Sequence, residues 1–187
     1  FEQKLIANQV RVYWVSDEEE LCSHIIKSFE KTTNNKVVID LPSVPKTFQE
    51  KKAIYKILDF NNLKELEDQP EHLVVKANFG VVETGAIVLL DKKSKSCFNK
   101  VENLHIILDI NNLVVKQSDL EPLLFLLNKE NGEYVFPKDL KLITGEFDQI
   151  INNSLYLSDD KFTTKKVKTH LYLYDNGISN VLEDTVL

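Results

Sequence analysis

The sequence predicts an α/β protein, a mostly parallel sheet with helices on both faces. Three observations carry this. Short β-branched and apolar runs alternate with amphipathic stretches along the 187 residues. Residues 10–15, a helix opened by Ser16-Asp17-Glu18-Glu19, and residues 36–40 form a strand–helix–strand unit of about 30 residues. Residues 85–90 are apolar without a break, the pattern of a strand covered on both faces.

Each element has its own warrant. Residues 1–9 read as the end of a helix. Val10-Arg11-Val12-Tyr13-Trp14-Val15 is β-branched and aromatic, hence a strand. Ser16 and Glu19 have capping-box spacing, with the hydroxyl accepting the Glu19 N–H and the carboxylate returning to the Ser16 N–H. Leu21, Ile25, Ile26 and Phe29 then fall on one helical face, and Asn34-Asn35 ends the helix. Residues 36–40 form the second strand. Two prolines make 41–47 irregular. Residues 48–58 read as a helix with Ala53, Ile54, Ile57 and Leu58 inward, and 61–67 as a shorter one.

After Pro70, residues 73–76 form a strand that delivers the chain to a turn bearing Glu83, followed by the apolar strand 85–90. The lysine-rich stretch 91–103 reads as a solvated loop. Residues 104–109 form a strand, and 111–116 extend or edge the sheet. Ser118 and Glu121 make a second capping box, with Pro122 in the first turn of a leucine-rich helix. Asn131-Gly132 is a turn, 140–145 a strand, and 169–174 the last strand, closed by Asp175-Asn176-Gly177. Residues 150–157 are ambiguous, and 178–187 form a tail for which a helix is left open. No repeat or long linker divides the chain, so 1–187 is expected to be one domain.

Composition narrows the function classes. The net charge of −6 argues against a nucleic-acid footprint. No run approaches the roughly 20 apolar residues of a membrane span. The chain begins at Phe1 and contains no methionine, which suggests a trimmed start and leaves a lost leader open. The only cysteines, Cys22 and Cys97, are too few for an iron–sulfur cluster and read as unpaired thiols of a reducing, cytoplasmic setting. Arg11 is the sole arginine, which limits bidentate recognition of carboxylate or phosphate.

The chemistry-bearing motifs are sparse. His24, His72, His105 and His170 show no metal-ligand spacing, so no metal site is expected, and His105 reads as a core histidine. There is no glycine-rich phosphate loop and no Gly-x-Ser-x-Gly elbow. Glu83, bracketed by Gly80 and Gly85, stands out because ligands of parallel sheets collect beyond the carboxyl ends of strands. Two readings stay open. The carboxylate and the Thr84 hydroxyl can fix a tight turn by accepting backbone N–H bonds, with Gly85 there for the bend. Alternatively Glu83, Thr84 and Gly85 line a ligand site.

The run Ala77-Asn78-Phe79-Gly80-Val81-Val82-Glu83-Thr84-Gly85-Ala86-Ile87-Val88-Leu89 resembles the signature of the LUD domain, found in the lactate-utilization protein C (LutC/YkgG-like) family. Residues 104–109, near His105, are similar to the family's next strand, and Leu142-Ile143-Thr144-Gly145 to the strand before its second motif. The likeness runs from about Val10 to Tyr174. It implies the NagB/RpiA/CoA transferase-like fold. It also implies an accessory role in oxidising L-lactate or a related organic acid to pyruvate, with clusters carried by iron–sulfur partner proteins and no cofactor on this chain. Thr144 and Gly145 join the ligand candidates on this ground, and a homo-oligomer is left open. The alternative is an acyl-CoA or CoA-transferase-like enzyme, since those enzymes place a nucleophilic glutamate before Asn-Gly and Glu83-Thr84-Gly85 is similar. A third reading is a diverged, non-catalytic binding domain. After Gly145 the chain continues Glu146-Phe147-Asp148-Gln149, where the family has a Pro-Ser-x-Thr turn, and 92–100 replace a glycine- and arginine-bearing loop.

Overall fold

Six parallel strands form the central sheet, and a smaller mixed sheet packs against one of its faces. The computed structural model describes residues 1–7, 9–31, 36–50, 56–58, 70–90, 101–127, 129–130, 133–134, 140–142 and 167–175. At 56–58, 90, 129–130, 133–134 and 140–142 it describes the backbone course. The strands in chain order are β1 (Arg11–Val15), β2 (Lys36–Asp40), β3 (Lys56–Leu58), β4 (His72–Lys76), β5 (Phe79–Val81), β6 (Ala86–Leu90), β7 (Asn103–Asp109), β8 (Leu113–Val114), β9 (Lys129–Glu130), β10 (Glu133–Tyr134), β11 (Leu140–Leu142) and β12 (Lys168–Tyr174). The helices are α1 (Glu2–Ala7), α2 (Glu18–Phe29), α3 (Lys46–Glu50) and α4 (Gln117–Leu127).

The central sheet runs β1-β12-β7-β4-β2-β3, parallel at every pairing. The last strand in sequence inserts between the first and the seventh. The second sheet runs β11-β6-β5-β8, with β6 antiparallel to both neighbours and β5 parallel to β8. β9 and β10 pair antiparallel on either side of Asn131-Gly132; the turn expected at those two residues lies outside the described residues.

The period-two geometry of strands divides the core. Val37 and Ile39 of β2, Val74, Ile107 and Tyr172 join Leu21, Cys22, Ile25, Ile26 and Phe29 of α2 and Phe48 of α3. The alternate residues Val38, Leu73, Val75, Leu104, Ile106, Leu108, Leu171 and Leu173 join Leu5 of α1 and Ile87 and Leu89 of β6. Helices therefore cover both faces, with the mixed sheet completing the second cover. β6 is apolar throughout because it is buried twice. Its Ile87 and Leu89 face the central sheet, while Ala86 and Val88 cluster with Leu120 and Leu124 of α4.

Several expectations need correction. Residues 56–58 are a strand, not the end of a helix; Val37 pairs with Ile57, so a short apolar run that suits either period is settled by a place at the sheet edge. α3 covers Lys46–Glu50, and residues 51–55, 61–67 and 150–157 and the tail 178–187 lie outside the described residues. Phe79–Val81 is a strand, so the Glu83 turn closes an antiparallel hairpin in the second sheet. Residues 140–142 also belong to that sheet. The first cap sits one residue later than its spacing implies: Asp17 is the N-cap and accepts the Glu20 N–H at 2.8 Å, while Glu20 accepts the Ser16 N–H at 2.7 Å. α4 begins at Gln117, one residue before Ser118, and this moves Pro122 beyond the first turn.

Candidate functional site

Glu83 occupies the tip of the hairpin between β5 and β6, exposed to solvent. Its carboxylate accepts the backbone N–H of Gln117, the first residue of α4, at 3.1 Å. The first turn of a helix leaves N–H groups without intrahelical partners, and a carboxylate there also meets the positive end of the helix dipole. The Lys116 N–H is taken by Asp119 at 3.1 Å. One half of a capping box is therefore local and the other comes from 34 residues away. The Glu83 backbone is held as well: its N–H donates to Val115 O at 3.0 Å, and the Lys4 ammonium donates to its carbonyl.

The neighbours of Glu83 serve the same turn. Thr84 Oγ1 accepts the Ala86 N–H at 3.2 Å, and the Gly85 N–H donates to Val81 O at 2.8 Å. Gly85 has φ +73°, a left-handed conformation, and a Cβ there would lie 2.8 Å from Lys4 Cβ. Gly80 is required by space: a Cβ would lie within 3.0 Å of Leu113, Leu108 and Phe1 side chains. The hairpin brings Glu83, Thr84 and Gly85 together. Thr144 and Gly145, the other expected ligand residues, lie outside the described residues.

A second constellation lies at the other end of the central sheet, where β4, β7 and β12 begin. Strand parity turns His72, His105, His170 and Tyr172 toward α2, and parallel pairing sets His170 opposite His105. His105 is fully buried, with its ring 5.2 Å from that of His72 and 4.9 Å from that of His170. His105 Nε2 lies 3.0 Å from His72 Nδ1 and 3.3 Å from Ser28 Oγ, and its Nδ1 lies 3.2 Å from the Tyr172 hydroxyl. The Ser28 proton goes to Ile25 O at 2.6 Å. Satisfying the Ser28 oxygen then places a proton on His105 Nε2, leaving Nδ1 to accept from Tyr172, an assignment that follows from the network.

This chain of rings is built to stay neutral. Burial, reinforced by the charge His170 would carry, lowers the pKa of His72 to about 4 and holds His105 well below the ordinary histidine value. Burial and the neighbouring Arg11, Lys168 and Lys31 charges lower His170 to about 4. Burial raises Tyr172 above the usual tyrosine range. His105 is the core histidine its position suggested. Its sequence reading missed that His72 and His170 share its face; the signal was there, since all three stand near the start of predicted parallel strands.

In front of His170 opens a cavity of about 420 Å³. Its described lining includes Arg11, Lys27, Lys31 and Lys168, the carboxylates Glu71 and Glu102, and the Tyr13 and Tyr172 rings. Tyr13 stacks on Tyr172 at 5.1 Å and on His170 at 5.9 Å, and its hydroxyl lies 3.3 Å from His170 Nδ1. Elsewhere, Cys22 is a buried free thiol, its pKa pushed up to about 11 by burial first and by Glu18. A thiol so held is inert. Cys97 lies outside the described residues. Among the described residues no group of three or more His, Cys, Asp or Glu side chains is placed to hold a metal ion, and no helix is long and apolar enough to cross a membrane.

No family model and no curated protein matches the chain. Among solved structures, the chain is similar to a DUF162 family protein from Deinococcus radiodurans, with 14% sequence identity, a TM-score of 0.60, and coverage of 93% of this chain and 92% of that one. At that identity the likeness establishes the shared fold.

Proposed function

We propose that this chain is a LUD-type domain that serves the oxidation of L-lactate or a related organic acid as an accessory, non-covalent component, working beside iron–sulfur partner proteins. The observation that carries the reading is the fold match along nearly the whole length of both chains, because DUF162 is the LUD domain. The Glu-Thr-Gly hairpin supports the same family from the sequence side. With two cysteines in the chain, redox centres belong on partners.

The geometry favours a binding role over covalent catalysis. A carboxylate nucleophile needs an oxyanion stabiliser and a bound substrate beside it. The Glu83 carboxylate instead accepts a backbone N–H of α4. The test is genetic and biochemical. A strain lacking the gene is expected to grow poorly on L-lactate and normally on pyruvate, and the tagged full chain to co-purify with cysteine-rich iron–sulfur proteins. Normal growth on lactate with no such protein recovered would overturn the proposal.

A further inference from the structure

The cavity at the amino edge of the central sheet is not explained by the organic-acid reading, and its charges are not explained by folding. Its cations come from separate parts of the chain: Arg11 opens β1, Lys168 opens β12, Lys27 stands in the last turn of α2 and Lys31 just past its end. The negative end of the α2 dipole accounts for Lys27 in its last turn and for Lys31 just past it. It accounts for neither Arg11 nor Lys168. Strand parity aims both toward the cavity, Arg11 in step with Tyr13, and Lys168 in step with His170 and Tyr172.

The four cations have no ion-pair partner among the described residues. In a chain of net charge −6, four exposed cationic side chains line one cavity against two carboxylates, and they include the sole arginine. Like charges gathered without partners repel one another, and an anion between them relieves the repulsion. Behind them stands a polar and aromatic wall: the Tyr13 hydroxyl, the His170 ring, which is 5% exposed, and the Tyr172 ring. The volume, about 420 Å³, suits a small metabolite.

We propose that this cavity is a binding site for a compact dianion, a phosphate monoester or a dicarboxylate, held by Arg11 and Lys168 on the sheet, by Lys27 on α2 and by Lys31 just beyond that helix. Arg11 supplies the fork that meets two oxygens at once, and the lysines act as point charges. A dianion meets this surplus of positive charge better than a monoanion such as lactate. The site lies at the opposite end of the sheet from the hairpin that bears Glu83, so it stands or falls apart from the organic-acid role.

Calorimetric titration of the full chain at low salt tests it, with glucose 6-phosphate, inorganic phosphate, succinate and L-lactate as probes. Binding of a dianion with Kd of about 1 mM or tighter is expected, at least about tenfold tighter than L-lactate. The better of the phosphate and succinate arms identifies the ligand chemistry. Arg11→Gln with Lys168→Gln is expected to weaken binding by about tenfold or more, whereas Glu83→Gln leaves it unchanged. Should the double variant not fold, acetylation footprinting of the wild-type chain decides: the dianion is expected to protect Lys168 and Lys31 while Lys116 stays reactive. No saturable binding by any dianion, equal binding by the folded double variant, or uniform acetylation overturns the proposal.

Discussion

At the scale of single residues, Glu83 and Gly85 do different work in one turn. Glu83 contributes one charge-assisted bond to an exposed helix start. Glu83→Gln keeps an acceptor of the same shape, and a loss of about 0.5–1 kcal/mol in urea unfolding is expected, the range of a helix cap. A loss of several kcal/mol would mean the carboxylate anchors more than α4. Acyl-CoA panels followed by mass spectrometry are expected to show no adduct on Glu83, since its described partner is a backbone N–H. Gly85→Ala should be costlier. It must hold a left-handed backbone and place a methyl against Lys4, so about 2 kcal/mol is expected. A Tm equal to that of the parent would show that the turn relaxes to another conformation.

Among the elements, β6 is the test of how the layers hold together. Its Ile87 is fully buried against the central sheet, and Val88 is fully buried on the side of α4. Ile87→Ala opens a cavity between two sheets that cannot both move inward, so about 3–4 kcal/mol is expected by equilibrium unfolding. A value near 1 kcal/mol would mean the mixed sheet collapses onto the gap. The same strand explains what sequence pattern can and cannot tell. Its unbroken apolar run announced burial on both faces, and β1, β2, β4, β7 and β12 were legible from their β-branched and apolar runs. The partner of β6 was not legible, because an apolar run carries no label for a parallel or an antiparallel neighbour. Lys56-Ile57-Leu58 read as helix because three residues fit either period until β2 lies beside them. The cap of α4 was half hidden for a related reason: Asp119 is local, but Glu83 arrives through the fold. The cavity cations were hidden most fully. Arg11 and Lys168 are far in sequence from each other and from the Lys27–Lys31 pair, and each alone looks like an ordinary surface charge.

For the whole molecule, the buried histidines set the dependence of stability on pH. His72 and His170 are bases whose folded-state pKa, about 4, lies below the ordinary 6.5 of the unfolded chain, and His105 is shifted the same way. Between the two values the unfolded chain binds protons that the folded chain refuses. Stability therefore stands at its full value above about pH 6.5 and falls as the pH drops toward about 4, where the loss from His72 and His170 levels off. Each of these two contributes on the order of 3 kcal/mol by pH 4, since a tenfold difference in proton affinity corresponds to about 1.4 kcal/mol. Asp17 and Glu20, whose pKa values are lowered chiefly by backbone hydrogen bonds at the start of α2, act in the same direction further down the scale. A series of urea unfolding curves between pH 7 and pH 4 is expected to show a steady decline rather than a plateau. His72→Leu keeps the volume near Phe29 and leaves Ser28 to accept from His105 Nε2. It is expected to lower stability at pH 7 yet to reduce the slope of the decline by up to one proton's worth, about 1.4 kcal/mol per pH unit. An unchanged slope in that variant, or a flat profile in the parent chain, would show that the row of rings accepts charge in place and that the neutral network described above is not what holds it.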